Sequence, residues 1–443
     1  MIAKKIFILI TTCLAFLLQP YSAVSEELPS ANRDEAIIAQ NPALADLITY
    51  AYKTNPTVDS YRKAWEAEVE KYRIDTAYPD PQLMLTYFPD PIETRLGPQD
   101  WNAQLSQEIP FPGQLSAKGN VIEADIRIAH LNLDKAVRDL IAQIRESYHE
   151  LVYIRAAKEI ADNNSRLISH LKDIGGTDYA NNQAALSDIL KIQSQEAQLG
   201  YDVILLDELE QTESARLNAL LDRAPDAVIG RLEPPPISPI LFTLDEISAL
   251  ADDNREELKI SKAMLDKAEA GKTLSTFQNL PNFKLGLFYA GIGEPEGMTV
   301  TDAGRDAVGI QAGISIPLWF GKSRGRSLKA RAEVARARAL HKNQQNDTHV
   351  QVRNSFFRLN NSLRLVTLYR DQLIPQALRS VEISETWNRQ GKGTFTDYLE
   401  AQATYYNFQL ALARASADYG KYLAQLEKLT GRSLTDKARE STP

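Results

Sequence analysis

The chain has 443 residues, of which 44% are hydrophobic and 24% are charged, and its formal net charge is −8. This composition is that of a folded protein and excludes a largely disordered chain. The acidic balance also argues against a nucleic-acid partner, because such a partner requires a basic surface.

The N-terminus has the order of residues that is typical of a secretory signal peptide. Two lysines precede a mostly apolar run at residues 6–18, and small residues follow it. This order predicts a signal peptide at residues 1–25 with cleavage near Ser25. The sole cysteine, Cys13, lies inside the apolar run, so the mature chain is expected to carry no thiol or disulfide. Lipidation at Cys13 is the alternative, but it would leave a very short apolar core before the cysteine.

The remainder of the chain contains one pattern twice. The stretch LSDILKIQ (186–193) recurs as FTDYLEAQ (395–402), and YPDPQLMLTY (78–87) recurs as LPNFKLGLFY (280–289). Further matches follow in the same order along the chain, which makes chance similarity a poor explanation. The sequence therefore predicts one structural unit that is used twice.

A proline-rich stretch separates the two copies and predicts a linker. The predicted organisation is a first repeat at 26–224, a linker at 225–243, a second repeat at 244–433 and a C-terminal tail at 434–443. Each repeat is predicted to contain a helix, two short strands and a long helical hairpin. The predicted strands lie at about 82–88, 101–109, 283–290 and 307–316.

The helical hairpins are predicted to be unusually long. From Gly113 to about Ile174 the apolar residues recur every three or four positions, as in an amphipathic helix. The corresponding helix of the second repeat is predicted to run from Ser323 to about Arg389. Helices of this length do not fit inside a globular domain. The loops at the tips of the hairpins are predicted near 173–187 and 389–396.

The predicted strands have one apolar face and one polar face. Such alternation fits either an ordinary half-buried sheet or a membrane-spanning barrel with its polar face toward a lumen. Four strands cannot close a barrel, whereas twelve strands from three chains can. The positions predicted to face the lumen are Asn102, Gln104, Ser106, Gln311 and Ser315.

Several stretches, together with the duplication, carry a resemblance to a known family. They are ALADLITYAYKTNPTVDSYR (43–62), SQEIPFPGQ (106–114), ISIPLWFGK (314–322) and GKGTFTDYLEAQATYYN (391–407). Through them the mature chain resembles the TolC family of outer-membrane efflux channels. PIETRLGPQ (91–99) also resembles the heavy-metal branch of that family, although less closely.

The resemblance implies a fold and a function. The expected fold is mainly α with a small β part, in which a long helical periplasmic barrel joins a transmembrane β-barrel of four strands per protomer and twelve per trimer. The expected function is a passive exit duct in the outer membrane, reaching into the periplasm. The implied partners are a homotrimer, outer-membrane lipid, a periplasmic adaptor (membrane fusion protein) and an inner-membrane pump of the RND type.

The resemblance also implies a pore entrance at the periplasmic tip. Asp397 and Glu400 match the family's acidic entrance positions, with Glu in place of Asp at the second. Residues three apart share a helix face, so a threefold axis would give a ring of six carboxylates that attracts cations. The other predicted entrance positions are Asp188, Thr394 and Thr396. A simpler interpretation is that Asp397 only caps its helix and that Glu400 is solvated.

The sequence gives no pattern for catalysis, a cofactor or a metal site. His341 and His349 are too far around a helix from each other to share an ion, and no nucleophile lies in a recognisable catalytic pattern. We therefore expect a protein that is not an enzyme, with no cofactor and no metal ligands. Two alternative functions remain: the duct of a type I protein-secretion system, and a periplasmic coiled-coil scaffold or adaptor.

Overall fold

The computed structural model describes residues 31–180, 185–295, 297, 301–390 and 392–435. The predicted signal peptide and most of the predicted tail lie outside these residues. The first repeat contains α1 (Ala31–Gln40), α2 (Leu44–Thr54), α3 (Pro56–Thr76), β1 (Gln82–Thr94), β2 (Gly97–Ile109), α4 (Gln114–Ala180) and α5 (Leu186–Leu220). The second contains α6 (Leu244–Asn254), α7 (Glu256–Phe277), β3 (Phe283–Ile292), β4 (Ala307–Ile314), α8 (Phe320–Leu368), α9 (Ile374–Arg389) and α10 (Phe395–Thr430).

The long helices dominate the molecule. Helix α4 has 67 residues, which at 1.5 Å per residue makes a rod about 100 Å long. In the second repeat α8 and α9 form one continuous path through a π-helical turn, Tyr369–Leu373. Pro375 lies two residues after the end of this turn, and a proline has no amide to donate and crowds the preceding turn. In the wide turn the amide of Ile374 donates to the carbonyl oxygen of Tyr369, so the helix continues without a break.

The four strands form one antiparallel sheet in the order β1-β2-β3-β4. Leu83 pairs with Leu105, Leu105 with Leu287, and Leu287 with Ile310, so an apolar row crosses all four strands on one face. This face is open to the surroundings: Leu83 is 66% exposed and Ile310 is 84% exposed. β1 and β4 are the outer strands, so within the described residues each has one edge without a strand partner.

The first strand pair is longer than predicted. β1 continues to Thr94 and β2 begins at Gly97, whereas the predicted strands end near residue 88 and begin near residue 101. The additional part of β1 contains Pro89 and Pro91, and β1 is an edge strand, where a missing amide is tolerated. The pairing register shifts between Tyr87 and Ile92, so both prolines lie in an irregular stretch of β1.

Equivalent residues form the cores of the two repeats. In the first core, Leu47 of α2 packs with Ile144 and Leu151 of α4. In the second core, Ile247 of α6 packs with Val352 and Leu359 of α8. The second core also contains Leu434, which is fully buried although the sequence places it in the tail. The duplication in the sequence is therefore a duplication of packing as well.

The linker and a contact between α4 and α10 hold the repeats together. Tyr148 donates a hydrogen bond from its hydroxyl to the carbonyl oxygen of Glu233 in the linker, at 2.7 Å. Arg145 of α4 forms an ion pair with Glu427 of α10. His149 is buried against Gly420, where an added Cβ would lie 2.1 Å from the imidazole Cε1. This close approach requires glycine at position 420.

Among the described residues, no helix combines the length and the apolar composition needed to cross a membrane.

Candidate pore entrance and sheet surface

The starts of α5 and α10 lie side by side at the tip of the hairpins. The Thr396 hydroxyl donates to Asp188 Oδ1 at 2.8 Å, and Lys191 Nζ donates to Thr396 Oγ1 at 3.4 Å. These contacts join residues of different repeats. The structure therefore brings together Asp188, Thr396 and Lys191, of which the sequence interpretation named the first two as entrance positions.

Asp397 and Thr394 form a reciprocal cap at the start of α10. The Thr394 amide and hydroxyl donate to Asp397 Oδ2 at 3.1 and 2.7 Å, and the Asp397 amide donates to Thr394 Oγ1 at 3.1 Å. The bonds from the Thr394 hydroxyl and amide, with a smaller contribution from the Lys191 charge, hold the pKa of the Asp397 carboxyl below its usual value. Asp397 is thus a helix cap that remains ionised and exposed, whether or not it also faces a pore.

Glu400 lies one turn further along α10 and is exposed. Its side chain has no hydrogen bond or ion pair with any residue in the described part of the chain. On the opposite side of the same helix, Tyr398 and Leu399 are buried in a cluster with Ile168 and Ile192. This packing fixes the helix so that Asp397 and Glu400 remain on its open side.

The polar face of the sheet carries the residues predicted to face a lumen. Asn102, Gln104 and Ser106 alternate along β2, and Gln104 Nε2 donates to Gln311 Oε1 of β4 at 2.5 Å. Ser315 lies one residue beyond the end of β4, although the predicted strand extended to 316. Its amide nevertheless donates to the carbonyl oxygen of Asn282 at 2.8 Å, which continues the ladder.

Asn282 was not identified from the sequence, and it organises the base of the sheet. Its Nδ2 donates to Glu108 Oε1 at 3.0 Å, its Oδ1 accepts from the Phe111 amide at 3.3 Å, and its amide donates to Ser315 Oγ at 2.8 Å. One asparagine therefore ties β2, β3 and the segment after β4 to each other. A polar residue directly after Pro281, at the start of a strand, was the available signal.

In the described part of the chain, no group of three or more His, Cys, Asp or Glu side chains is arranged to hold a metal ion. His349 instead lies 3.0 Å from the carboxylate of Asp252, and His341 Nδ1 lies 2.8 Å from the Ser261 hydroxyl. Both histidines thus have local partners on other helices.

Comparisons with known proteins agree with this architecture. Residues 247–432 match the family model described as outer membrane efflux protein. No curated protein matches the sequence. The family match and the fold together confirm the resemblance to the TolC family of outer-membrane efflux proteins. The predicted fold class, mainly helical with a small β part, is confirmed as well.

Solved structures share the fold over nearly the whole chain. The outer membrane protein VceC of Vibrio cholerae has 18% identity and a TM-score of 0.73, covering 88% of this chain and 96% of its own. The CmeC outer membrane channel of Campylobacter jejuni has 13% identity and a TM-score of 0.76, covering 95% and 96%. The MtrE outer membrane channel of Neisseria gonorrhoeae, solved in an open state, has 16% identity and a TM-score of 0.70, covering 94% and 97%.

Proposed function

We propose that the protein is the outer-membrane channel of a tripartite efflux system. It is a passive exit duct for small solutes, without enzymatic activity, and a periplasmic adaptor couples it to an inner-membrane pump of the RND type. The observation that carries this proposal is the sheet. One face exposes an apolar row that includes Leu83, Leu287 and Ile310, and the other carries Gln104 and Gln311. Such a sheet suits lipid on one side and a polar lumen on the other.

The function requires more than one copy of the chain. Four strands with two open edges cannot close a barrel, and three copies would supply twelve strands with no edge left. The helices support the same arrangement. Helices α3 and α5 lie on one side of the chain and α8 and α9 on the other, and both sides expose large apolar residues such as Tyr201, Ile204 and Trp387. Head-to-tail contact between unlike surfaces closes into a ring when the rotation between copies is one third of a turn.

The entrance residues give this duct a preference for cations. Asp397 stays ionised because Thr394 donates to it, and Glu400 is exposed one turn away. In a trimer these two residues would form acidic rings at the narrow end, and acidic rings attract cations and repel anions. Metal cations are therefore included among the proposed solutes.

Growth of a strain that lacks the gene tests the function. Increased sensitivity to copper, silver, zinc or cobalt alone would support cation efflux, and sensitivity to dyes, detergents or antibiotics would support efflux of organic compounds. Unchanged sensitivity together with loss of a protein from the culture medium would contradict efflux and favour protein secretion. A mature chain that stays soluble without detergent would favour the scaffold alternative.

Channel recordings test the entrance. In a planar bilayer, Asp397→Asn combined with Glu400→Gln should lower the cation preference of the conductance, because the change removes the proposed ring charges. Asp245→Asn is a matched control, since Asp245 is an exposed carboxylate at the start of another helix, α6. Equal selectivity in the entrance variant and the unaltered channel would contradict the role of these residues.

A further inference from the structure

The junction between the two repeats is a strand pairing with a defined register. β2 of the first repeat pairs with β3 of the second, and Leu105 lies opposite Leu287. This is the place within one chain where the last strand of one repeat meets the first strand of the other. It therefore shows how two of these units join through their sheets.

The register inside each repeat is the same. In the first repeat Leu83 of β1 lies opposite Leu105 of β2. In the second repeat Leu285 of β3 lies opposite Ala312 of β4. The match between the two sequence copies independently equates Leu83 with Leu285 and Leu105 with Ala312, so the strand pairs of the two repeats agree with it. Because both repeats have the same strand register, the same equivalence can be used to transfer the β2–β3 pairing to the outer strands β4 and β1 of two neighbouring copies.

We propose that β4 of one copy pairs antiparallel with β1 of the next copy in the register of the β2–β3 junction. Transferring Leu105–Leu287 then sets Ala312 opposite Leu85 of the partner subunit. Two residues to either side, on the same face, Ile310 lies opposite Tyr87 of the partner subunit and Ile314 lies opposite Leu83 of the partner subunit. This inference rests on the proposed function, because it describes how copies of the chain close the wall of the duct.

The faces of the two strands agree with this register. The three pairs place apolar side chains beside apolar side chains. Of the two intervening pairs on the other face, one sets Gln311 opposite Thr86 of the partner subunit and the other sets Gly313 opposite Met84 of the partner subunit. A slip by one residue would mix the faces along the whole strand. The pairing would stop near Pro89 of the partner subunit, because that residue cannot donate a ladder hydrogen bond.

A slip by two residues would preserve the faces, and the turn after the strand opposes such a slip. After β2, Phe111 stacks against Phe283 of β3 with ring centroids 6.3 Å apart, and Pro110 is buried. After β4, the equivalent turn leaves Leu318 66% exposed and Trp319 79% exposed. The residue equivalent to Phe283 is Pro81, so the proposed register brings Pro81 of the partner subunit over the exposed turn.

The chain is well suited to disulfide mapping, because Cys13 is its sole cysteine. In a full-length Cys13→Ser background, we would pair Leu85→Cys with Ala312→Cys. Two comparison variants pair Ala312→Cys with Leu83→Cys or with Tyr87→Cys, which keep the face and shift the register by two residues. The matched control is Leu105→Cys with Leu287→Cys, the intrachain pair from which the register is transferred.

After mild oxidation of membranes, the Leu85/Ala312 pair should give dimers and trimers on a non-reducing gel. The shifted pairs should give much less, because two residues move the Cα atoms about 7 Å along the strand, beyond the usual range for a disulfide. A shifted pair that links more efficiently would overturn the proposed register. Absence of intermolecular linkage in all three pairs, while the Leu105/Leu287 control is oxidised, would overturn it too.

This result is separable from the test of function. Linked trimers in a strain whose growth panel shows no role in efflux would keep the register and refute the proposed efflux. Efflux activity without linkage of the Leu85/Ala312 pair would keep the proposed function and refute the proposed register.

Discussion

Equivalent positions of α4 and α8 have different surroundings within one chain. Arg145 corresponds to Arg353, and His149 corresponds to Phe357. Arg145 and His149 face α10, where Arg145 contacts Glu427 and His149 is buried. Arg353 and Phe357 are exposed, and Phe357 keeps 59% of its surface accessible. The duplicated unit has thus kept its core and diverged where the two copies meet different neighbours.

The largest expected effect on stability comes from removing the charge of Arg145, whereas removing the charge of Arg353 should have little effect. Arg145→Met leaves Glu427, which is 8% exposed, without its cation. Glu427 keeps the hydrogen bond from the Leu434 amide but loses its counter-charge. Because a buried carboxylate without a counter-charge is strongly unfavourable, the free energy of unfolding should fall by about 3 kcal/mol. Urea unfolding followed by circular dichroism measures this change.

Arg353→Met is the matched control for that variant. The residue that corresponds to Glu427 is Asn218, so no carboxylate occupies the equivalent position. The control should lower the free energy of unfolding by less than about 1 kcal/mol. Equal losses in the two variants would show that the ion pair adds nothing specific to the α4–α10 contact.

The second effect concerns pH and His149. Burial, together with the positive charges of Arg145 and Lys421, lowers the pKa of His149 to about 4. The ordinary pKa of a histidine is near 6.5, so between pH 6.5 and 4 this histidine binds a proton in the unfolded chain but not in the folded chain. Stability from this group is complete above pH 6.5 and is lost as the pH falls toward 4, by up to about 3 kcal/mol.

His149→Gln should accordingly flatten the fall in stability between pH 6.5 and 4, as measured by urea unfolding at a series of pH values. His130→Gln is the control, because the side chain of His130 is 51% exposed. If the two variants have the same pH profile as the unaltered protein, His149 is not the group responsible.

A smaller effect is expected at the tip, where only the second repeat has a side-chain cap. Thr394→Ala removes the hydroxyl that donates to the Asp397 carboxylate and accepts from the Asp397 amide. The start of α10 should lose about 1 kcal/mol of stability. Hydrogen exchange of the first amides of α10 should become several-fold faster. In the first repeat Ala185 holds the equivalent position without a side-chain cap, so Ala185→Thr should slow exchange at the start of α5. Unchanged exchange in both variants would contradict the difference in capping.

The smallest effect concerns the bond between the repeats at the tip. Thr396→Val removes the donor to Asp188, and Asp188→Asn removes the carboxylate. A double-mutant cycle should give a coupling free energy of roughly 0.5 kcal/mol, since the pair is only partly buried. Additive losses would show that the bond contributes nothing to the contact between α5 and α10.

The strand faces and the long helices could be predicted from the sequence because periodicity is local. Leu83 and Ile310 fall on one face through simple alternation. The predicted end of β1, near residue 88, was wrong, because apolar–polar alternation stops at the irregular stretch with Pro89 although the edge strand continues to Thr94. The Thr396–Asp188 bond could not be predicted, because it depends on how two distant helices pack. Gly420 was a missed signal, since a glycine inside a helix often marks a close approach such as that of His149.

The π-helical turn between α8 and α9 compensates for one extra residue in the second hairpin. The spacing between equivalent residues is one residue larger for Asp188 and Asp397 than for Arg145 and Arg353. An extra residue inside an ordinary helix would rotate everything beyond it by about 100°. The wide turn at Tyr369–Leu373 takes up one residue more than an α-turn, so Val381 of α9 still reaches the same cluster as Leu399 of α10. The second hairpin can thus contain one extra residue and still turn the equivalent faces of its helices toward the same neighbours at the tip.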